Sequence, residues 1–308
     1  MEGLITGLGV QMNTMVLQLL FNGLVSGLLL ALLAAGFNLI FNTTRVFHIA
    51  HGSFYVGGAY AFYAILQLFP NQSLLFVFLS ALAALLIVML FASMIEALIY
   101  QPLARKKSGQ AITLISSMGV YLFMINGIAL LFGNETKILE LPFGGSIFLA
   151  NVAIAPIQLV QLAVSLIFLG GVLFISKTKW FLGVRAMMSN ESVASVLGVN
   201  TMVIRLLAIS IGSALAAIAA ILTLYDTGVD PQAGMAITLS AAVAVIIGGS
   251  LSLRGTILAS VVIALLQTAT AWFLSSQWKE GMTFVLLILV FFWRTEGIVS
   301  YKMRVEEQ

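Results

Sequence analysis

The feature that most constrains this chain is a series of long apolar runs that carry no charged residue. Two of the clearest are Val16–Phe41 and Ala111–Phe132, and a helix needs about 20 such residues to cross the hydrocarbon core of a bilayer. Charged residues make up only 8% of the 308 positions, whereas a soluble domain carries about 25%. The runs are continuous rather than alternating, which favours helices over a barrel. We therefore predict an all-α, polytopic transmembrane helical bundle.

Windows of apolar residues predict nine spans in a single membrane domain covering residues 1–308, and counts of eight or ten stay open. The predicted spans are Val16–Phe41, Phe47–Leu68, Leu74–Tyr100, Ala111–Phe132, Ile157–Ser176, Val203–Tyr225, Met235–Ser250, Thr256–Leu274 and Met282–Trp293. Two regions favour a broken or re-entrant helix instead of a clean span: Asn38–Gly58, and the run before Gly248 and Gly249.

The distribution of Lys and Arg predicts the orientation of the spans. With nine spans, all but two of the fourteen basic residues fall on one side, which the positive-inside rule makes cytoplasmic. The exceptions are Lys137 and Lys279. We expect an outside N-terminus and a cytoplasmic C-terminus. The first basic residue is Arg45, so the N-terminal run lacks the basic start of a cleaved signal peptide and is expected to remain as a span.

The segment Lys177–Arg205 is the one long stretch of mixed polarity with a strong basic bias. Within it, Glu191–Leu197 is predicted to form a short helix, because Asn190 is a suitable N-cap and Gly198 a suitable stop. Val193, Val196 and Leu197 would lie on one side of that helix. The pattern is typical of a cytoplasmic docking loop, and an interfacial helix on lipid headgroups is the alternative.

The most polar part of the early spans is the segment from His48 to Tyr55, which includes His51 and Gly52. Ionisable groups are costly to leave facing lipid, so a transport pathway between helices is one interpretation. Hydrogen bonds to neighbouring helices, or a place near the interface, are the structural alternative. Two His residues three positions apart could supply half of a metal site, but no carboxylate nearby completes it. We therefore expect no metal.

Glu96 precedes a basic cluster that begins at Arg105. We expect its carboxylate to lie near the inner interface and to pair with Arg45 or Arg105, rather than to couple protons. In the later half of the chain, Gly248 and Gly249 indicate a second interruption of the helices. Paired interruptions are typical of an internal repeat around a binding path.

Several kinds of chemistry are not supported by the sequence. It contains no Cys, no Walker A pattern, no H-E-x-x-H and no G-x-S-x-G. The chain is therefore not expected to hydrolyse ATP itself or to be an enzyme, and no cofactor is predicted. Its net charge of +3 gives no reason to expect nucleic acid, because the basic residues cluster at membrane edges.

Four stretches resemble the branched-chain amino acid ABC importer permeases of the LivH type, and together they cover nearly the whole chain in order. The stretches are Gly36–Asn42 with His51–Tyr60, Glu96–Leu103 with Ile112–Gly119, Gly183–Ala186 with Leu197–Asn200, and Ala241–Gly249 with Arg254–Gly255. His48 stands where the family has Asn. The family's Ala-Glu-Asp stretch is Ser189-Asn190-Glu191 here.

The resemblance implies two sets of site residues. The substrate pathway is expected to include Asn42, His48, His51, Gly52, Tyr55, Gly248 and Gly249. The segment that couples the permease to its ATPase is expected to include Gly183, Arg185, Ala186, Asn190, Glu191, Val196, Leu197 and Gly198.

The resemblance also implies a function: a multi-pass permease subunit in the bacterial inner membrane, passing branched-chain or other neutral amino acids. Its expected partners are a second, homologous permease, two cytoplasmic ATP-binding subunits, an extracytoplasmic substrate-binding protein and membrane lipid. Relatives in the superfamily carry urea or short amides, so that substrate class stays open. An ion-coupled carrier or channel is the alternative of a different class, and it would need carboxylates deep in the spans.

Overall fold

The computed structural model describes residues 2–69, 73–106, 108–139, 145–149 and 152–293, with the backbone alone at residues 2–11 and 293. Lys107, Glu140, Pro142 and the basic tail Arg294–Arg304 lie outside the described residues.

Helices account for almost all of the described chain, so the helical class is confirmed. The helices are α1 Glu2–Thr44, α2 His51–Leu66, α3 Leu74–Ile95, α4 Gln101–Arg105, α5 Gln110–Phe132, α6 Pro156–Ile175, α7 Lys179–Ser189, α8 Glu191–Val196, α9 Thr201–Leu224, α10 Ala233–Gly248, α11 Leu253–Phe273 and α12 Lys279–Trp293. A π-helical turn, Glu96–Tyr100, joins α3 to α4, and a 3₁₀ turn, Ser276–Trp278, precedes α12. Two short antiparallel strands, Ile147–Leu149 and Val152–Ile154, form a hairpin before α6.

Each of the nine predicted spans coincides with a helix, but the helices differ in length. In the described part of the chain, six helical segments are long and apolar enough to cross a membrane. Those six are Met12–Thr44, Leu74–Arg105, Gln110–Phe132, Pro156–Ile175, Thr201–Leu224 and Leu253–Phe273. The other three predicted spans correspond to α2, α10 and α12, which have 16, 16 and 15 residues. A 16-residue helix is only about 24 Å long, less than the hydrocarbon thickness of about 30 Å. The count of nine therefore stays a prediction.

The first helix lies in the middle of the fold. Most of the apolar window of α1 is buried, 83%, against 17% for the windows of α3 and α5. It packs against α6, α9, α10 and α11. Because α3 and α5 leave most of their apolar surface uncovered, those helices can face lipid or another subunit.

Small residues let the central helices touch backbone to backbone. Gly36 of α1 lies against Gly212 of α9, where a Cβ on Gly212 would stand 2.8 Å from the Gly36 carbonyl oxygen. Such contacts replace the hydrophobic driving force that is missing between helices in lipid. The small-residue stretch Ser210–Ala220 of α9 is tightly packed, since nearly every one of its residues is buried.

Both predicted interruptions are present. Between α1 and α2 the helix is broken at residues 45–50, where Arg45 has a φ of 57°. The span predicted to start at Phe47 therefore starts as a helix only at His51. The backbone N–H of Ala50, freed by this break, donates to Ser117 Oγ of α5 at 2.9 Å. The second break follows Gly248, where Gly249 has a φ of 89°.

Candidate functional site

The seven residues expected to line the pathway all lie buried inside the described part of this chain. They are Asn42, His48, His51, Gly52, Tyr55, Gly248 and Gly249. They come from the two helix breaks and the helix ends beside them. The first break follows α1 and the second lies between α10 and α11, and α1 packs against both of those helices. The structure thus places these residues at contacts between helices of one subunit.

Two Asn residues on α1 tie that helix to the second break. Asn38 and Asn42 both donate to the carbonyl oxygen of Ser250, at 2.9 and 2.7 Å. Asn38 also donates to Thr256 Oγ1 at 3.0 Å. Since the two Asn residues are four positions apart, they share a face of α1 and bond to each other at 2.8 Å. The family resemblance identified Asn42 only, although the i, i+4 spacing could have identified Asn38 as its partner.

The two His residues have different environments. His51, the first residue of α2, has its Nε2 3.1 Å from the carbonyl oxygen of Leu33, so this nitrogen must be the donor. The ring of His48 lies in the break itself, 4.8 Å from the ring of Tyr100. Neither ring nitrogen of His48 has a hydrogen-bond partner among the described residues. Those residues also contain no group of three His, Cys, Asp or Glu that could hold a metal.

The glycines of the predicted pathway are points of close helix packing. A Cβ on Gly52 would collide with the carbonyl oxygen of Gly234 and with Thr238 Oγ1, both of α10. A Cβ on Gly248 would collide with the backbone of Gly255 at the start of α11. These positions therefore have a packing reason to be glycine that does not depend on substrate.

We expect Gly52→Ala to destabilise the crossing of α2 and α10, because the backbone of Gly234 cannot move aside cheaply. Overpacking of this kind costs about 1–3 kcal/mol. The control is Gly57→Ala on the same helix, where a Cβ would meet only Met124, at 3.6 Å. Thermal unfolding in detergent compares the two, and equal midpoints would contradict the packing role of Gly52.

The predicted short helix is present at the predicted place. It is α8, Glu191–Val196, and Asn190 Oδ1 accepts from the N–H groups of Ser192 and Val193 at 3.0 and 3.1 Å. Gly198 ends the segment with a φ of 86°, a value that favours glycine. Both terminal signals are local, which is why the sequence predicts this element well.

The apolar side of α8 is exposed. Val193, Val196 and Leu197 are 53%, 86% and 75% exposed, whereas Ala194 is buried against the rest of the chain. Three neighbouring apolar side chains left uncovered on a polar segment mark a contact surface. We call this trio the docking patch.

A second helix, not predicted from the sequence, lies in the same segment. Helix α7, Lys179–Ser189, buries Phe181, Val184, Met187 and Met188. Their spacing of three and four residues is the signal that could have revealed it. Among the other residues expected in the coupling segment, Gly183 and Ala186 are half-buried on α7. Arg185 is exposed, and it donates to the carbonyl oxygen of Ser176 at 3.1 Å.

The prediction that Glu96 pairs with Arg45 or Arg105 is wrong. The partner is Arg205 of α9, whose Nε donates to Glu96 Oε1 at 3.1 Å. Arg205 was expected in the loop, but α9 already begins at Thr201. Arg45 donates instead to the carbonyl oxygen of Met188.

Arg205 also reaches the coupling segment. Its Nη1 donates to Glu191 Oε1, at the start of α8, at 3.2 Å. The side chain of Glu96 is 0% exposed, that of Arg205 7% and that of Glu191 49%. One guanidinium thus connects the π-helical turn after α3, helix α9 and helix α8. We call these three residues the Arg205 triad.

Comparison with known sequences then decides the family. The model of the family described as "Branched-chain amino acid transport system / permease component" matches residues 19–291, which is most of the chain. This chain belongs to that family. The membership predicted from the four sequence stretches is confirmed, and the chain is a transport permease rather than an enzyme.

Individual members of the family align with nearly the full length of the chain. BraD of Pseudomonas aeruginosa, a high-affinity branched-chain amino acid transport system permease protein, is 32% identical over 92% of this chain and 95% of its own length. LivH of Salmonella typhimurium, of the same description, is 29% identical with the same coverage. A probable LivH of Methanocaldococcus jannaschii is 27% identical over 82% of this chain and 80% of its own length.

Proposed function

We propose that this chain is a permease subunit of an ABC importer that passes branched-chain or other neutral amino acids across the bacterial inner membrane. The observation that carries this proposal, beyond family membership, is the docking patch on α8. Exposed apolar side chains beside an ion-paired helix suit a cleft on another protein. Since the sequence contains no Walker A pattern, ATP hydrolysis must come from such a partner.

The proposed assembly contains a second, homologous permease, two cytoplasmic ATP-binding subunits and an extracytoplasmic substrate-binding protein. The uncovered faces of α3 and α5 support a second membrane subunit. Between these helices lies an apolar groove whose walls include Met94, Leu98 and Phe123.

The pathway is proposed to run beside the two helix breaks. Around them, buried polar groups of α1 and the α1–α2 break face helix ends instead of lipid, as a polar route through the membrane requires. Asn42, His48 and His51 are the polar side chains of this proposal. The glycines at positions 52, 248 and 249 would shape it by letting the helices approach.

An ion-coupled carrier is less well supported by the structure. Such a carrier needs a carboxylate in the spans that can gain and lose a cation. Glu96 is the buried carboxylate among the described residues, and it is already paired with Arg205 at 3.1 Å. That pair leaves no free buried acid in this part of the chain to couple transport to ions.

Co-purification tests the proposed function. The tagged chain, expressed with the genes that neighbour its own, should retain an ATPase in detergent. In liposomes the assembly should take up leucine only with ATP inside and a binding protein outside. Uptake driven by an ion gradient without any ATPase would overturn the proposal. Competition by urea or short amides, rather than by neutral amino acids, would replace the proposed substrate class.

Reporter fusions test the proposed orientation. Fusions after Lys107, within residues 185–200 and after Gln308 should report the cytoplasm, because basic residues cluster at these sites. A fusion at Glu140 or at the N-terminus should report the outside. A cytoplasmic signal at Glu140 would overturn the orientation.

A further inference from the structure

A cavity of about 390 Å³ opens where the second helix break meets the ends of α1 and α6 and the face of α7. It is lined by Asn38, Asn42, Leu173, Ser176, Lys177, Phe181, Arg185, Met188, Leu251, Ser252, Leu253 and Arg254. The docking patch is not part of this lining, and Arg185 is the residue that the cavity shares with the expected coupling segment.

Three cations line the cavity, and each comes from a different element. Lys177 follows α6, Arg185 lies on α7 and Arg254 lies in the first turn of α11. No Asp or Glu appears among the lining residues. None of the three cations forms an ion pair within the described part of the chain. Such an uncompensated positive cluster attracts an anion.

The N-terminus of α11 adds to this positive field. The cap residue, Ser252, accepts the N–H of Gly255 on its hydroxyl at 3.1 Å and the N–H of Thr256 on its carbonyl at 2.9 Å. The N–H groups of Leu253 and Arg254, which also line the cavity, have no such partner among the described residues. Free N–H groups at the start of a 21-residue helix are well suited to phosphate oxygens.

The inner wall of the cavity supplies an acceptor. Asn42 is buried, and both hydrogen bonds of its Nδ2 go to Asn38 Oδ1 and Ser250 O. Its Oδ1 has no hydrogen-bond partner among the described residues. A buried amide oxygen without a donor favours a ligand that carries a hydroxyl as well as a negative charge.

We propose that this cavity binds a phosphate ester bearing a hydroxyl, as in the headgroup of phosphatidylglycerol. The phosphate would lie among Lys177, Arg185 and Arg254, and the glycerol hydroxyl would reach towards Asn42. A membrane lipid suits the location, because the cavity lies where α6 ends and α11 begins and has Leu173 and Leu251 in its wall. Basic pockets between helices on the cytoplasmic side are sites of this type. The assignment of the phosphate ester to a membrane lipid depends on the orientation proposed above.

Native mass spectrometry of the purified full-length chain tests the site with phosphatidylglycerol as the probe. The variant Lys177→Gln, Arg185→Gln, Arg254→Gln should bind the lipid about a hundredfold more weakly, since each cation near an anionic headgroup contributes about 1 kcal/mol. The parallel titration uses glycerol 3-phosphate, which has the same phosphate and hydroxyl groups but no acyl chain.

The control removes the same charge outside the cavity. Arg105→Gln, Lys106→Gln and Lys179→Gln change three exposed cations that are absent from the lining. This variant should retain the lipid within about threefold, because only diffuse attraction is lost. Circular dichroism and the thermal midpoint of both variants show whether either has failed to fold.

The outcomes are distinct. If only the cavity variant loses phosphatidylglycerol binding, the result supports a lipid site. If the unmodified chain also binds glycerol 3-phosphate, and the cavity variant loses that binding too, the result supports a site for a soluble phosphate ester. Equal binding by both variants, or equal loss in both, overturns the proposal. Because the experiment uses the isolated chain, its failure leaves ATPase binding and amino acid uptake untouched. Failure of the importer proposal would likewise leave this measurement valid.

Discussion

Replacing Arg205 with Met should destabilise the chain more than any other single change considered above. The carboxylate of Glu96 would remain fully buried without its cation. Removing one partner of a buried ion pair costs about 3–5 kcal/mol, because the remaining charge has lost its hydration and has no counter-ion. The measurements are the thermal unfolding midpoint in detergent and the amount of chain recovered from membranes.

A second substitution should reverse much of this loss. Glu96→Gln combined with Arg205→Met removes both charges, so the double variant should be more stable than Arg205→Met alone. Glu191→Gln is the matched control, since its carboxylate is about half exposed, 49%. We expect it to cost less than about 1 kcal/mol. A double variant no more stable than Arg205→Met would show that the lost packing, not the buried charge, causes the defect.

Replacing Val196 and Leu197 together with Asp should detach the ATPase. Both side chains belong to the docking patch and are more than 70% exposed in the isolated chain, at 86% and 75%. In an apolar cleft the new carboxylates would have to lose their hydration without partners, which costs at least about 2 kcal/mol for each polar group. We expect retention of the ATPase in detergent and substrate-stimulated ATP hydrolysis in liposomes to fall at least tenfold.

The same helix offers a control with the same charge. Ser192 and Ser195 are exposed positions of α8 outside the docking patch. Ser192→Asp with Ser195→Asp should leave the ATPase bound, because these side chains keep their contact with water. Arg185→Ala should weaken ATPase stimulation without complete dissociation. If the Val196 and Leu197 variant retained the ATPase like the unmodified chain, α8 would be an interfacial helix on lipid.

The coupling segment shows what a sequence of this kind determines locally. Asn190 and Gly198 act within a few residues, through a side-chain cap and a positive φ, so the position of α8 could be predicted from them. Helix α7, next to it, was missed although its apolar residues recur at helical spacing. The basic residues of α7, taken alone, favour a solvated loop. The helix is indicated only when its buried apolar side chains are considered together with them.

The partner of Glu96 could not be predicted in the same way. Arg205 is 109 positions away, and the contact exists only because α3 and α9 pack side by side. Charge proximity along the chain favoured Arg105 instead. The pathway residues show the same limit, since the sequence marks Gly52 as special but the opposing backbone of Gly234 appears only in the folded chain.

The central place of α1 also determines how this subunit can be made. Asn38 and Asn42 are made well before their partners Ser250 and Thr256, which lie 208 to 218 positions later. During synthesis the two amides can bond to each other, but their bonds to Ser250 and Thr256 must wait until the second helix break and the start of α11 have been made. A chain cut short before Ser250 would expose both amides, and a protease that monitors membrane proteins could recognise them as the mark of an unfinished product.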